Sequence, residues 1–295
     1  MTIADPTADR LLRSTARQSY DPEVDLDWEA APVEGLWWMQ PERVSLYGTP
    51  TWDRLSPEQQ IELSRHEVAS IMSVGLWFEV LLMQLLLREV YGADPRTART
   101  QYALTEIGDE TRHSVMFGRA IAAMGAPAYG PRPAVLRVGK FAPLLHGPSV
   151  FSATLVGEEP LDRWQRELMK DERCQPLTRM ASRIHVTEEA RHVTFAREEL
   201  AAAMSQKIGR TQLRLHQNLT ARAAYVMARS LVHPDCYAAV GLDPMEARRE
   251  ALGNEHYRAT LAWMGEKMMP YLVEHGMVSE KDRKIWRASF LVPRG

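Results

Sequence analysis

Two short stretches of this chain place the same donors at the same spacing. Gly108–Phe117 reads GDETRHSVMF, and Thr187–Ala196 reads TEEARHVTFA. Each has an acid, then Glu-x-Arg-His, then an apolar run. In a helix, Glu-x-x-His sets a carboxylate and an imidazole one turn apart on one face. Glu110 and His113 form the first pair, and Glu189 and His192 the second. Oxygen and imidazole donors suit iron or manganese better than metals that seek thiolate. A single Glu-x-x-His is a weak signal, but here it occurs twice.

Two isolated acids strengthen the pattern. Glu79 sits in the apolar run Ile71–Leu87, IMSVGLWFEVLLMQLLL, and Glu158 follows SVFSATLVG. Glu79 lies as far before the turn at Asp94-Pro95 as Glu110 lies after it, and Glu158 and Glu189 flank the turn at 171–176 in the same way. The separation is 31 residues in both cases. In an antiparallel hairpin such residues meet at one height, about 23 Å from the turn at 1.5 Å per residue. Buried carboxylates cost several kcal/mol each unless paired or coordinated. No Lys lies on Ile71–Leu87 or Val150–Glu159 to offset them. Two divalent cations would balance four glutamates. The device matches the general plan of di-iron carboxylate bundles: a Glu from each of two helices and Glu-x-x-His from the other two.

One residue breaks the symmetry. His185, Glu189 and His192 fall at i, i+4 and i+7, a single helical stripe, so His185 is read as a seventh protein ligand. The equivalent position in the first half is Glu106, read as an acid just behind the ligands or in the pocket beside them. Glu158 is chosen over Glu159 on the repeated spacing alone.

These seven residues resemble the p-aminobenzoate N-oxygenase family of non-haem diiron enzymes. The family's pattern is carried here by Glu79, ETRH (Glu110, His113), Glu158 and HVTEEARH (His185, Glu189, His192). The match covers about residues 56–205. The resemblance implies a ferritin-like bundle and two irons activating dioxygen. It also implies a homodimer and oxygenation of an amine nitrogen to a hydroxylamine or nitro product. Manganese accepts the same donors.

The elements that must hold these residues are helical. Ser56-Pro57-Glu58-Gln59 has a cap residue, a proline at the first helical position and a glutamine that completes a capping box, opening a helix to about Tyr91. Asp94-Pro95 predicts a second helix start, with Gly125 and Pro127 ending that helix after Met124. Residues 126–147 read as a long connection. A third helix spans about Val150–Lys170 with Pro160 as a kink, and a fourth begins near Pro176. Further helices are expected at about 210–232, 244–252 and 255–275. Residues 1–55, rich in Asp, Pro and Trp, read as an irregular arm or a partly disordered tail, with GLWWMQP a candidate interface. Residues 56–290 form the helical domain, its metal-binding core at about 56–205. No alternating strand pattern occurs, so the fold class is all-α: a four-helix core with extra C-terminal helices.

Composition narrows the function classes. The chain has 295 residues, a formal net charge of −2, 45% hydrophobic and 25% charged residues. That balance carries no electrostatic footprint for nucleic acid. Cys174 and Cys236 are its two cysteines, too few for a thiolate cluster, so a reduced cytoplasmic protein is expected. No signal peptide is visible in Met1–Arg17, and the apolar run Ile71–Leu87, short for a bilayer span and carrying Glu79, reads as a buried bundle helix. Without a dinucleotide fingerprint or phosphate loop, electrons come from an external donor. His66, His146, His216, His233, His256 and His275 join no comparable acid cluster. Arg112 and Arg191 turn away from the ligand face toward acids of neighbouring helices. The same cluster could serve C–H hydroxylation of a small organic substrate. It could also serve ferritin-like iron oxidation, which the extra nitrogen of His185 disfavours.

Overall fold

Capping chemistry starts the first long helix where the sequence placed it. In the computed structural model, which describes residues 5–140 and 146–292, Ser56 Oγ accepts from Gln59 N–H and Gln59 Oε1 from Ser56 N–H. The helix runs Pro57–Val90 (α2), after an N-terminal helix Pro6–Arg17 (α1). Ala98–Ala123 (α3) returns antiparallel to α2, and Pro148–Leu168 (α4) pairs with Pro176–Met204 (α5) in the same manner. The two hairpins meet through α3 and α5. Arg210–Ser230 (α6), Pro244–Gly253 (α7), Glu255–Gly265 (α8), Met268–Glu274 (α9) and Arg283–Ser289 (α10) follow. The protein is all-α, and the one extended pairing among the described residues is an isolated bridge between Trp37 and Cys174.

Several boundaries differ from the sequence expectation. α3 begins at Thr97, whose Oγ1 accepts from Thr100 N–H. Asp94 cannot cap it, because its carboxylate is taken by the Arg96 backbone and guanidinium. α4 continues unbroken through Pro160. The stretch 255–275 is divided into α8 and α9, and the connection 126–147 contains a short helix, Pro133–Gly139. Residues 141–145 of that connection lie outside the described residues, as do 1–4 of the arm. Gly125 ends α3 as expected: its φ is +65°, open to glycine at no steric cost.

The N-terminal arm is more ordered than its composition suggests. α1 lays Ala8 and Leu11 against Tyr102, Ala103 and Phe195 of α3 and α5. Trp38 and Met39 of GLWWMQP enter this chain's own core, and Gln175 N–H donates to Trp37 O, pinning the arm to the second hairpin turn. Docking against two helices, not local periodicity, orders this segment. α2 keeps the bounds read from its caps, and its apolar run Ile71–Leu87 lies largely in the C-terminal half of the helix. The whole helix is 34 residues, long and apolar enough to cross a bilayer by length and composition, yet 56% of its apolar window is buried in the chain.

One acid of α2 has no part in the metal pattern. Glu67 is fully buried and accepts from Ser45 N–H and Ser45 Oγ. Burial pushes its carboxyl from the ordinary 4.5 up to about 7. A raised carboxyl adds stability that is present below pH 4.5 and is lost as pH rises through 7, on the order of 3 kcal/mol in full. Glu67→Gln is therefore expected to flatten the loss of thermal stability between pH 5 and 8. An unchanged pH profile of the melting temperature would show that Glu67 is not its source.

Candidate metal centre

The matched heights in the two hairpins bring the seven residues together. Glu79, Glu110, His113, Glu158, His185, Glu189 and His192 are all buried. Donor atoms within 4.8 Å of one another occur in four trios: Glu79–His113–His185, Glu110–His113–Glu189, Glu158–His185–Glu189 and Glu106–Glu110–His192. Glu189 lies at the middle, its Oε1 3.0 Å from His192 Nδ1, 3.4 Å from His113 Nδ1 and 3.7 Å from His185 Nε2. Glu110 faces it, 3.0 Å from His192 Nδ1 and 3.3 Å from His113 Nδ1. Glu158 is the inward member of its pair, since Glu159 is held in a fork by Arg197 at 2.8 and 2.6 Å.

The far side of each imidazole is also held. His113 Nε2 donates to Glu188 Oε2 at 2.8 Å, His192 Nε2 to Asp109 Oδ2 at 3.2 Å, and His185 Nδ1 to Gln165 Oε1 at 2.7 Å. With a proton held on the outer nitrogen, the inner nitrogen beside the carboxylates is the one that can give up its proton to bind a metal. The exchange is reciprocal: Asp109 on α3 orients the histidine of α5, and Glu188 on α5 orients that of α3. These acids were missed as functional, although both motifs show an acid directly before the Glu. Gln165 had no sequence signal, because it meets His185 only across the α4–α5 interface. Arg112 lies against Asp109 and 3.5 Å from Glu188, and Arg191 bonds the Gln18 carbonyl of the arm. Both guanidiniums thus point away from the cluster, as helical phase requires. The arm closes this layer, with Tyr20 N–H donating to Glu188 Oε1.

The charge is strongly one-sided. Burial pushes the carboxyls of Glu79 and Glu158 above their ordinary range, with Glu110 adding to both, and raises Glu106 to about 8. Burial alone would lower His113 and His192. The carboxylates around them outweigh it and hold both well above the usual imidazole range. Burial likewise opposes ionisation of Glu189, but His192 and His185 hold it well below. Glu106 Oε2, Glu110 Oε1 and Glu189 Oε2 are buried without any hydrogen bond. Glu110 Oε1 is near His192 Nδ1 but outside hydrogen-bond geometry. Such orphaned acceptors are costly in a protein interior unless a cation meets them, so this donor set fits a pair of metal ions.

The outer hydrogen bonds carry a measurable consequence. Asp109→Asn and Glu188→Gln keep side-chain size but weaken the hold on each ring. Each is expected to cost about 10–100-fold in metal affinity, read by competition with a chelator. Unchanged retention in both variants would mean that packing alone orients the rings.

Two cavities adjoin the cluster. One, of about 10 Å³, is lined by Glu79, Glu158, His185, Phe78 and Phe117 among others. The second, about 550 Å³ and mostly apolar, reaches Phe78 and Glu158 from the side of α6.

Comparison with known proteins gives the following. A family model described as p-aminobenzoate N-oxygenase AurF matches residues 3–276. The chain is 28% identical over 289 residues to the uncharacterized protein Rv0885 of Mycobacterium tuberculosis (strain ATCC 25618 / H37Rv), covering 94% of this chain and 84% of that protein. Mb0909 of Mycobacterium bovis matches to the same extent. Among solved structures, a point mutant of an R2-like ligand-binding oxidase with an aerobically reconstituted Mn/Fe cofactor has a TM-score of 0.47 at 13% identity, covering 97% of this chain and 92% of that chain.

Proposed function

This chain belongs to the p-aminobenzoate N-oxygenase AurF family and is an oxygenase, and on that premise we propose that it oxygenates the nitrogen of an amine at a dinuclear metal centre. Glu79, Glu110, His113, Glu158, His185, Glu189 and His192 would hold the pair, iron by preference with manganese acceptable to the same donors. A metal pair held there would supply the activation of dioxygen, with electrons drawn from an external donor. Four carboxylates balance two divalent charges in a site that water does not reach. Asp109, Glu188 and Gln165 keep the three rings in register. Phe78, Phe117 and Leu161 shield Glu79 and Glu158, and Glu106, with Oε2 unpartnered and its carboxyl raised to about 8 by burial, lies beside Glu110 and His192. An external reductant and a homodimer complete the proposal.

The observation that carries this reading is the arrangement of the three imidazoles. Each turns one nitrogen toward shared carboxylates and has the other tied by an acceptor. The test is metal content after expression with iron, followed by single-turnover reaction of the reduced protein with dioxygen and a nitrogen-15 arylamine. About two irons per chain and a labelled hydroxylamine or nitro product are expected. Oxygen found on carbon would replace this reading with C–H hydroxylation. Oxygen consumption that no amine affects would replace it with iron oxidation.

A further inference from the structure

The apolar character of α2 is only half explained by packing. Its apolar window has a mean hydropathy of 1.8, yet 56% of it is buried. Of the remainder, Trp77, Phe78 and Leu81 face the 550 Å³ cavity, whose wall also includes the buried Leu85 of α2, Ala153 of α4, and Ala223 and Val226 of α6. Helices α4 and α6 are tied side by side by hydrogen-bond contacts of Ser152 with Thr220 and of Ser149 with His216. They therefore run parallel and form a groove that leads along α4 to Glu158.

The cavity differs at its two ends. At the inner end, Phe78 and Glu158 line both this cavity and the small void beside Glu79 and His185, so they form the wall between substrate space and the metal-binding residues. Gly157 lies at that junction, where an added Cβ would sit 3.7 Å from the Phe78 ring, in ordinary van der Waals contact. Among the described residues, Arg222, solvent-exposed on α6, is the one charged lining residue besides Glu158. Its Nε donates to Asn218 Oδ1 at 2.8 Å, which orients the guanidinium. The nearby Asp282 carboxylate accepts from Arg214 and Asn218 and also attracts Arg222 through space.

We infer that this cavity selects an amphiphilic amine with an apolar body larger than one aromatic ring, its nitrogen at the Glu158 end and an anionic group at Arg222. The inference rests on the N-oxygenation reading for the reacting group, and on the cavity alone for the rest. A volume of 550 Å³ falls within the roughly 300–1,000 Å³ of sites that enclose drug-sized ligands. A single aminobenzoate, of about ten non-hydrogen atoms, would leave most of the apolar wall against water, an arrangement the hydrophobic effect opposes.

The test is calorimetric binding to the metal-loaded protein under nitrogen, without reductant. The ligands are p-aminobenzoate, 4′-aminobiphenyl-4-carboxylate and 4-aminobiphenyl. The biphenyl acid is expected to bind at least tenfold more tightly than p-aminobenzoate, and to lose about that factor when its carboxylate is absent or in Arg222→Gln. Ala223→Trp, which narrows the groove from α6, should remove the preference for the second ring while p-aminobenzoate still binds and metal content holds. Equal affinity for the one-ring and two-ring acids would overturn the inference, as would a two-ring preference that survives Ala223→Trp. If the biphenyl acid binds as expected but carries its oxygen on carbon after reaction, the cavity assignment stands and N-oxygenation falls. If both amines are N-oxygenated without a size preference, the reverse holds.

Discussion

Glu189→Ala is expected to abolish metal binding and oxygenation together, from about two metal ions per chain toward none. The reason is position. Glu189 Oε1 lies within 3.0–3.7 Å of an inner nitrogen of all three histidines, and its other oxygen has no hydrogen-bond partner at all. Its sequence neighbour Glu188 cannot replace it, being turned to His113 Nε2 on the far side of the ring. Glu189→Gln keeps the volume and removes the charge, which separates loss of a ligand from loss of a packed side chain. Both variants should keep their helical circular dichroism, since α5 is fixed along its length by α4 and α3. Normal metal content in either variant would mean that the cluster is not the metal site.

Removing metal from the loaded protein should have the second largest effect. A ligand that binds only the folded state stabilises it by RT ln(1 + [L]/Kd), about 4 kcal/mol when free metal exceeds Kd by a thousandfold. For a chain of this size each kcal/mol moves the melting temperature by about 2–4 °C, so chelation is expected to lower it by roughly 10 °C. The direction follows from the cluster. Without a cation, Glu79, Glu106 and Glu158 repel neighbouring carboxylates in a space that excludes water, and burial already disfavours their ionised forms. Glu158→Gln should show the complementary signature: weaker metal retention, with a metal-free form that melts no lower than the parent. A melting temperature indifferent to chelation would indicate that the acids are satisfied without metal.

Much of the site was legible in the sequence because helices convert spacing into geometry. Glu-x-x-His shares a face whatever the helix packs against, and His185 joins that face by the same rule. Two glutamates 31 residues before their partners meet them because both hairpins are antiparallel and turn at mid-separation. The long helices themselves were announced by local chemistry, such as the Ser56–Gln59 box and the positive φ at Gly125. Where local signals compete, the reading slipped. Asp94-Pro95 has the composition of a helix start, but Arg96 claims the aspartate and the helix waits for Thr97.

Other features depend on contacts between elements that no spacing rule predicts. Gln165 supports His185 only because α4 lies on α5 in this register. The cross-exchange of Asp109 and Glu188 needs α3 and α5 to face each other, so the acids preceding each Glu had no partner until the bundle closed. Tertiary packing also chose Glu158 over Glu159 by giving Glu159 to Arg197, and ordered the arm that covers Glu188. The sequence by itself determined which donors share a face within each Glu-x-x-His helix, because that follows from the 3.6-residue repeat of a single helix. Only the folded chain decided which carboxylate points inward, what holds each imidazole, and where an apolar cavity opens onto Glu158. Those depend on long-range packing between helices that are remote in sequence.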